Sequence, residues 1–431
     1  LSQAGKIPKN LVVAASAWVG RVVAILCQLV AVRAILGAMG VGGYAAFALL
    51  GSLVNWYLLC DLGVGASLQN HISECRVRNE PYEGFVRAAS WAGLVQLLGA
   101  WLLVLLLAPV LGPRFLEGFP SLAGGYRAEL FLASGLLHAG AAVGSIAYKV
   151  WYAEQRGYLA NLVPALSAVA GLGGILAVVA SGREDRLLLA VLAYQLPSAL
   201  LALASLAKIN LRGAKPPPFR ELPFGALLRR GWRFWGFGIL AALVLSIDTI
   251  VISQTLPPRE IVAYTLVYKI FDFPYFVYNA FLLALWPVFS EAMAAGRFGE
   301  VRRQARFSLS WGAAGMVLFT ALILLFIRPI VSLLSPNDPI EVPVRVILLF
   351  GGYMLVRIWS DTFAVVLQSR SHLSPLWRAV VLQAAVGAAL QLWLGRLLGA
   401  TGIVLALAAA FCLTVAWMLP LAVRKSLSDP G

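Results

Sequence analysis

Residues 88–111 read AASWAGLVQLLGAWLLVLLLAPVL, a run without one Asp, Glu, Lys or Arg. About 20 consecutive apolar residues carry an α-helix across the hydrocarbon of a bilayer. Backbone polar groups find no water there and must bond within the chain, so such a run reads as a membrane-spanning helix. Eleven further runs bring the total to twelve: roughly 11–36, 44–66, 88–111, 128–152, 159–181, 187–211, 233–253, 261–290, 307–329, 344–368, 377–398 and 400–422. Breaks such as Gly112-Pro113, Pro257-Pro258 and Ser335-Pro336 separate most of them. Gly399 and Gly402 mark the turn between the last two. The ten-residue alternation of a transmembrane β-barrel does not occur.

The whole chain agrees with that stretch. Of 431 residues, 61% are hydrophobic and 12% charged, against roughly 25% charged in a soluble domain. This excludes a soluble enzyme, a disordered chain, a collagen and a disulfide scaffold. Cys27, Cys60, Cys75 and Cys412 are scattered, and His71, His138 and His372 share no metal-ligand spacing. Lys6 and Lys9 precede a long apolar run with no clear cleavage site, so no cleavable signal peptide is read.

The net charge of +15 would point to nucleic acid in a soluble protein. Here the loops explain it, and no nucleic-acid partner is expected. Of 34 Lys and Arg, 21 fall on the side of the N-terminus, eight on the opposite side and five within spans. The positive-inside rule then places both termini in the cytoplasm. The longest basic stretch, Lys208 to Arg233, falls in mid-chain. Its second part, Phe219 to Trp235, mixes Leu227, Leu228, Trp232 and Trp235 with Arg229, Arg230 and Arg233. It reads as a helix in the membrane interface or as a plain basic linker.

The chain carries a weak internal repeat. Ile72-Ser73-Glu74 is followed by Glu83, and Phe289-Ser290-Glu291 by Glu300, at the same spacing and after an even-numbered span each time. The expected architecture is all-α and polytopic. Its twelve helices form two six-helix lobes related by a parallel pseudo-two-fold repeat. The predicted divisions are an N-terminal lobe 1–211, a basic linker 212–232 and a C-terminal lobe 233–431.

Polar residues at membrane depth are costly and mark a cavity or a partner. Tyr264, Tyr268, Asp272, Tyr275 and Asn279 lie within about 80° of one another on the eighth span at ~100° per residue. Lys269 flanks Asp272 at i, i+3 spacing, and Pro274 predicts a kink. On the tenth span Tyr353, Arg357, Asp361 and Gln368 share a face, with Arg357 near the midplane and Asp361 placed to neutralise it. The first span carries Arg21 and Gln28 on one face. Arg21 has no carboxylate on its own helix, so its partner is a carboxylate elsewhere, such as Asp248 or Asp61, or an anionic ligand. The fourth span places Ser134, His138, Ser145, Lys149 and Tyr152 on one side. A water-filled cavity between the halves is expected, lined by Arg21, Gln28, Asn55, Lys149, Asp248, Tyr264, Tyr268, Lys269, Asp272, Arg357 and Asp361.

No GxxxxGK[ST] loop, HExxH or GxSxG occurs, so the chain is read as neither an ATPase nor another enzyme. A cation excess in the first half favours an anionic substrate over a cationic drug. A drug exporter would expose an unpaired carboxylate, for which Asp248 is the candidate. A glycan polymerase or ligase would want a long outer loop, and those near 112–127 and 330–343 are short.

Val41-Gly42-Gly43-Tyr44-Ala45-Ala46-Phe47 and Asp61-Leu62-Gly63-Val64-Gly65-Ala66-Ser67-Leu68-Gln69-Asn70 resemble bacterial polysaccharide flippases. So do Asp248, Val262-Ala263-Tyr264 and Tyr268-Lys269-Ile270 in the second half. These flippases are the O-antigen, Wzx-type members of the multidrug/oligosaccharidyl-lipid/polysaccharide exporter superfamily. The resemblance covers the whole length. It implies movement of undecaprenyl-diphosphate-linked oligosaccharide from the inner to the outer leaflet of the bacterial inner membrane. It also implies a monomer among membrane lipids, working near a polysaccharide polymerase and glycosyltransferases. No cofactor is expected beyond a coupling ion, H+ or Na+, as in related exporters.

Overall fold

The computed structural model describes residues 9–183, 186–211, 218–334, 340–369 and 374–428. Among these no strand occurs. The helices are α1 (Lys9–Ser52), α2 (Val54–Tyr57), α3 (Val64–Arg78), α4 (Glu83–Phe115), α5 (Gly124–Gly144), α6 (Ile146–Ala153), α7 (Gly157–Ala180) and α8 (Arg186–Asn210). Then come α9 (Phe224–Leu245), α10 (Ile247–Thr255), α11 (Pro258–Ala294), α12 (Phe298–Leu334), α13 (Val344–Ser369), α14 (Ser374–Leu413) and α15 (Val415–Ser428).

Nine stretches of the described residues are long and apolar enough to cross a membrane, and two of them, Ala15–Asp61 and Ser374–Ser426, run to 47 and 53 residues. At 1.5 Å per residue each is about twice the length one crossing needs. Glycine divides both. Gly40 (φ 67°) interrupts α1 and Gly399 (φ 58°) interrupts α14, each in backbone space that favours a residue without Cβ. Each counted as two, and with the 37-residue α11, the membrane-length segments number the twelve that the sequence predicts. Their outward faces are apolar: Leu98, Leu102, Leu103 and Leu106 of α4 are all exposed. That is the reverse of a soluble helix and what a lipid solvent requires.

The second span is not the continuous helix expected over 44–66. Its helix stops at Ser52 and resumes as α2. A tight turn, Leu58–Asp61, and two left-handed residues, Leu62 (φ 47°) and Gly63 (φ 73°), then precede α3. Asp61 explains the restart. Its carboxylate accepts the amides of Gly63 (2.8 Å) and Gly65 (3.3 Å), satisfying donors that a helix start leaves open. The seventh span also breaks, at Ser246 (φ −140°) between α9 and α10. α11 runs helical through Pro274.

The described chain divides into two compact units, Leu1–Ala242 and Leu243–Gly431. Residues 212–217 of the basic linker lie outside the described residues. From Phe224 the rest is not a separate interfacial helix but the first turns of α9, which runs on to Leu245. These turns pack onto α3 inside the first unit. Leu222 and Leu227 join a buried core with Val64, Leu68 and Ile72. Ser67 Oγ donates to the Leu227 carbonyl at 2.8 Å, and Arg230 bonds Glu74 at 2.8 Å. Ser335-Pro336 and His372 lie outside the described residues, as do the side chains of Ser290 and Glu291.

Candidate substrate site

The tyrosine face predicted on α11 meets the arginine face of α13 inside the second unit. The Tyr275 hydroxyl donates to Asp361 Oδ2. Arg357 Nε stands 3.7 Å from the same oxygen, one helical turn along α13. The guanidinium carbon of Arg357 lies 3.9 Å from the centre of the Tyr275 ring. One tyrosine therefore serves the cation with its π face and the carboxylate with its hydroxyl. A desolvated cation–π contact is worth about 2 kcal/mol. The side chain of Arg357 is 12% exposed and that of Asp361 31%, so the carboxylate is the more open end of the pair.

A second carboxylate sits beside this pair. Asp248, in the first turn of α10, is buried. Its Oδ2 accepts the Tyr264 hydroxyl at 2.6 Å and its Oδ1 the Thr249 amide at 2.8 Å. The charge of Arg357 acts on it as well. Phe350 of α13 packs against the ring of Tyr264 at 5.2 Å and that of Tyr268 at 6.3 Å. The ring of Tyr275 and the charges of Asp361 and Asp248 thus act on Arg357 within helices of membrane length. Removing charges from water costs several kcal/mol per ion unless partners replace the hydration. The hydroxyls and the ring provide that replacement here.

Of the predicted residues, Asp248, Tyr264, Tyr268, Arg357 and Asp361 come together. Lys269 and Asp272 lie partly buried one turn apart on α11, each engaged in polar interactions. In the first unit Arg21 is exposed on α1 with an interaction of its own, Gln28 is half-buried and Asn55 is exposed. Lys149 stands near Asp61 within the first unit. A Cβ built on Gly65 would lie 3.0 Å from Asp61 Oδ2 and 3.1 Å from Lys149 Cγ, and the lysine charge acts on that carboxylate. His138 is a core residue. Its Nε2 is 3.1 Å from the Leu50 carbonyl, which also accepts Ser134 Oγ at 3.3 Å just before the break that ends α1.

Two polar contacts escaped the sequence reading. Glu260 reaches the Ala400 amide at 3.1 Å and so caps the helix that restarts after Gly399. Trp235 Nε1 donates to the Leu59 carbonyl in the broken second span at 2.9 Å. A glutamate at a helix start and a tryptophan in a basic stretch carry no periodic signal for either contact.

Comparison with known proteins gives the class first. The chain superposes on a lipid II flippase MurJ in an inward closed conformation with TM-score 0.75, at 12% identity over 97% of this chain and 89% of that one. It superposes on an inward-facing multidrug resistance MATE transporter of the MOP superfamily with TM-score 0.69, at 14% identity over 95% and 96%. The MatE family model matches residues 238–391. The fold is the all-α, polytopic fold of the MOP-superfamily transporters. Among curated proteins, the "Putative O-antigen export protein" of Yersinia pseudotuberculosis is 34% identical over 98% of this chain and 97% of its own length. The "Putative O-antigen transporter" of Salmonella typhimurium is 33% identical over 96% of each. The chain belongs to this family of O-antigen transporters.

Proposed function

We propose that the protein moves undecaprenyl-diphosphate-linked oligosaccharide from the inner to the outer leaflet of the bacterial inner membrane by alternating access, with both termini cytoplasmic. Its full-length likeness to O-antigen export proteins carries this reading. The physical problem fits. Taking a hydroxyl from water to hydrocarbon without a partner costs about 4–8 kcal/mol, so a glycan head needs a polar path while its lipid stays in the bilayer. Tyrosine rings such as Tyr268 offer faces on which sugars stack. Arginine offers paired donors to a pyrophosphate. Arg21 on the first unit and Arg357 on the second are the residues assigned to that charge. Cationic drug export is less well supported, because Asp248 is already bonded by Tyr264 and Thr249.

The test is surface glycan in a strain lacking its own O-antigen transporter and expressing this chain. Arg21→Ala and Arg357→Ala are expected to lose display at matched membrane levels, while Arg21→Lys keeps part of it. Normal display from Arg21→Ala combined with Asp248→Asn or Asp61→Asn would assign Arg21 to an internal bridge and remove it from the site.

A further inference from the structure

Near its start α12 carries Arg302, Arg303 and Arg306, all exposed. Among the described residues no carboxylate pairs with them, and the nearby Glu300 is held by Arg297 at 3.0 Å. The same side of the helix continues with two exposed aromatics, Phe307 (64%) and Trp311 (51%), and then with Leu318 (62%) and Leu325 (73%). At 100° per residue, Arg303, Arg306, Phe307, Trp311, Leu318 and Leu325 fall within about 140° of arc. The opposite side, through Val301, Ala305, Ser308 and Gly312, is buried in the protein. The rise from Phe307 to Leu318 is about 16 Å, roughly half the ~30 Å hydrocarbon core and thus the depth of one leaflet.

We infer that this face of α12 is a binding site for an anionic phospholipid of the bilayer. The guanidinium groups take the headgroup phosphate, Phe307 and Trp311 lie at the glycerol level, and an acyl chain runs down to Leu318 at the depth of one leaflet. This apolar stretch distinguishes a lipid from a free anion: inorganic phosphate would use the arginines and ignore everything below them. The site does not depend on what the protein transports.

The test is native mass spectrometry of the purified full chain titrated with phosphatidylglycerol or phosphatidylcholine. Wild type is expected to retain phosphatidylglycerol preferentially. R302Q/R303Q/R306Q is expected to lose that preference, at about fivefold per arginine. R229Q/R233Q, which removes exposed cations from α9, is expected to keep it. Arg306→Gln and Trp311→Ala, assayed singly, are expected to weaken retention even if the triple variant cannot be purified. Unchanged retention in these variants overturns the inference. So does equal loss in R229Q/R233Q, which would mean undirected charge, or displacement of the lipid by millimolar inorganic phosphate.

Discussion

The guanidinium of Arg357 lies 3.9 Å from the centre of the Tyr275 ring, and both side chains converge on one oxygen of Asp361. Removing one member leaves the other two exposed to a cost. Arg357→Ala strands a carboxylate at membrane depth, which lowers stability by about 3 kcal/mol, the low end for a broken buried pair because Asp361 is partly open. Arg357→Gln with Asp361→Asn removes both charges and is expected to melt close to wild type. Thermal melting in detergent separates these outcomes, and a double variant no more stable than Arg357→Ala contradicts the pairing.

Tyr264→Phe deletes the hydroxyl that bonds Asp248 at 2.6 Å. Loss of a hydrogen bond to a charged group costs about 1.5–3 kcal/mol. In Asp248→Asn the carbonyl oxygen still accepts the Thr249 amide and the NH2 group donates to the Tyr264 oxygen, so it is expected to retain glycan display. Complete loss of display in a stable, membrane-inserted Asp248→Asn would make the negative charge itself part of transport.

Gly63 faces the backbone of Gly231 on α9. A Cβ at Gly63 would stand 2.2 Å from the Gly231 carbonyl oxygen, and φ there is 73°. Gly63→Ala therefore meets both a clash and about 1–3 kcal/mol of backbone strain. It is expected to lower the melting temperature and the membrane level well below those of Gly37→Ala, where nothing lies within 4 Å of the built Cβ. Equal behaviour of the two variants contradicts the docking of α9 on α3.

Two groups beyond the spans make this docking sensitive to pH. The bond to Arg230 holds the Glu74 carboxyl below its usual range. Its contribution is present above the ordinary glutamate value of about 4.3 and is lost as pH falls through the lowered folded value. His71 lies flat against Phe85, with ring centres 4.4 Å apart. Burial first, then Arg230, pushes its pKa down from 6.5. Protonation favours the unfolded chain, so stability falls as pH drops below about 6.5. His71→Gln should flatten the slope between pH 6.5 and the folded value, whereas Glu74→Gln, which removes a carboxylate 3.8 Å from His71 that raises its pKa, should extend that slope to lower pH while lowering stability slightly at neutral pH. A melting series from pH 4 to 8 on both variants checks the assignment.

The spans were legible because hydrocarbon imposes a length and a composition that a loop cannot imitate. The 88–111 run reappears inside α4, and Gly399 divides α14 where the turn was expected. The α11 and α13 faces were legible because Tyr264 to Asn279 and Tyr353 to Asp361 repeat at helical spacing. Periodicity shows which residues share a face but not what that face meets. That is why the convergence of Tyr275 and Arg357 on one Asp361 oxygen required the structure. The break after Ser52 was hidden because Asn55 to Cys60 is apolar enough to read as continuous helix. Only the cap formed by Asp61 reveals where α3 begins.

Translocation by the purified chain alone tests most directly whether this protein moves lipid-linked glycan across the bilayer. Proteoliposomes would be loaded with undecaprenyl-diphosphate-linked oligosaccharide carrying a labelled terminal sugar, and accessibility of the label to an externally added glycosidase followed with time. Wild-type protein is expected to make the inner-leaflet pool accessible, and Arg357→Gln with Asp361→Asn, folded but without the central charges, to do so far more slowly. An inner pool that stays protected with folded, correctly inserted wild-type protein under an imposed ion gradient of either H+ or Na+ would contradict this function.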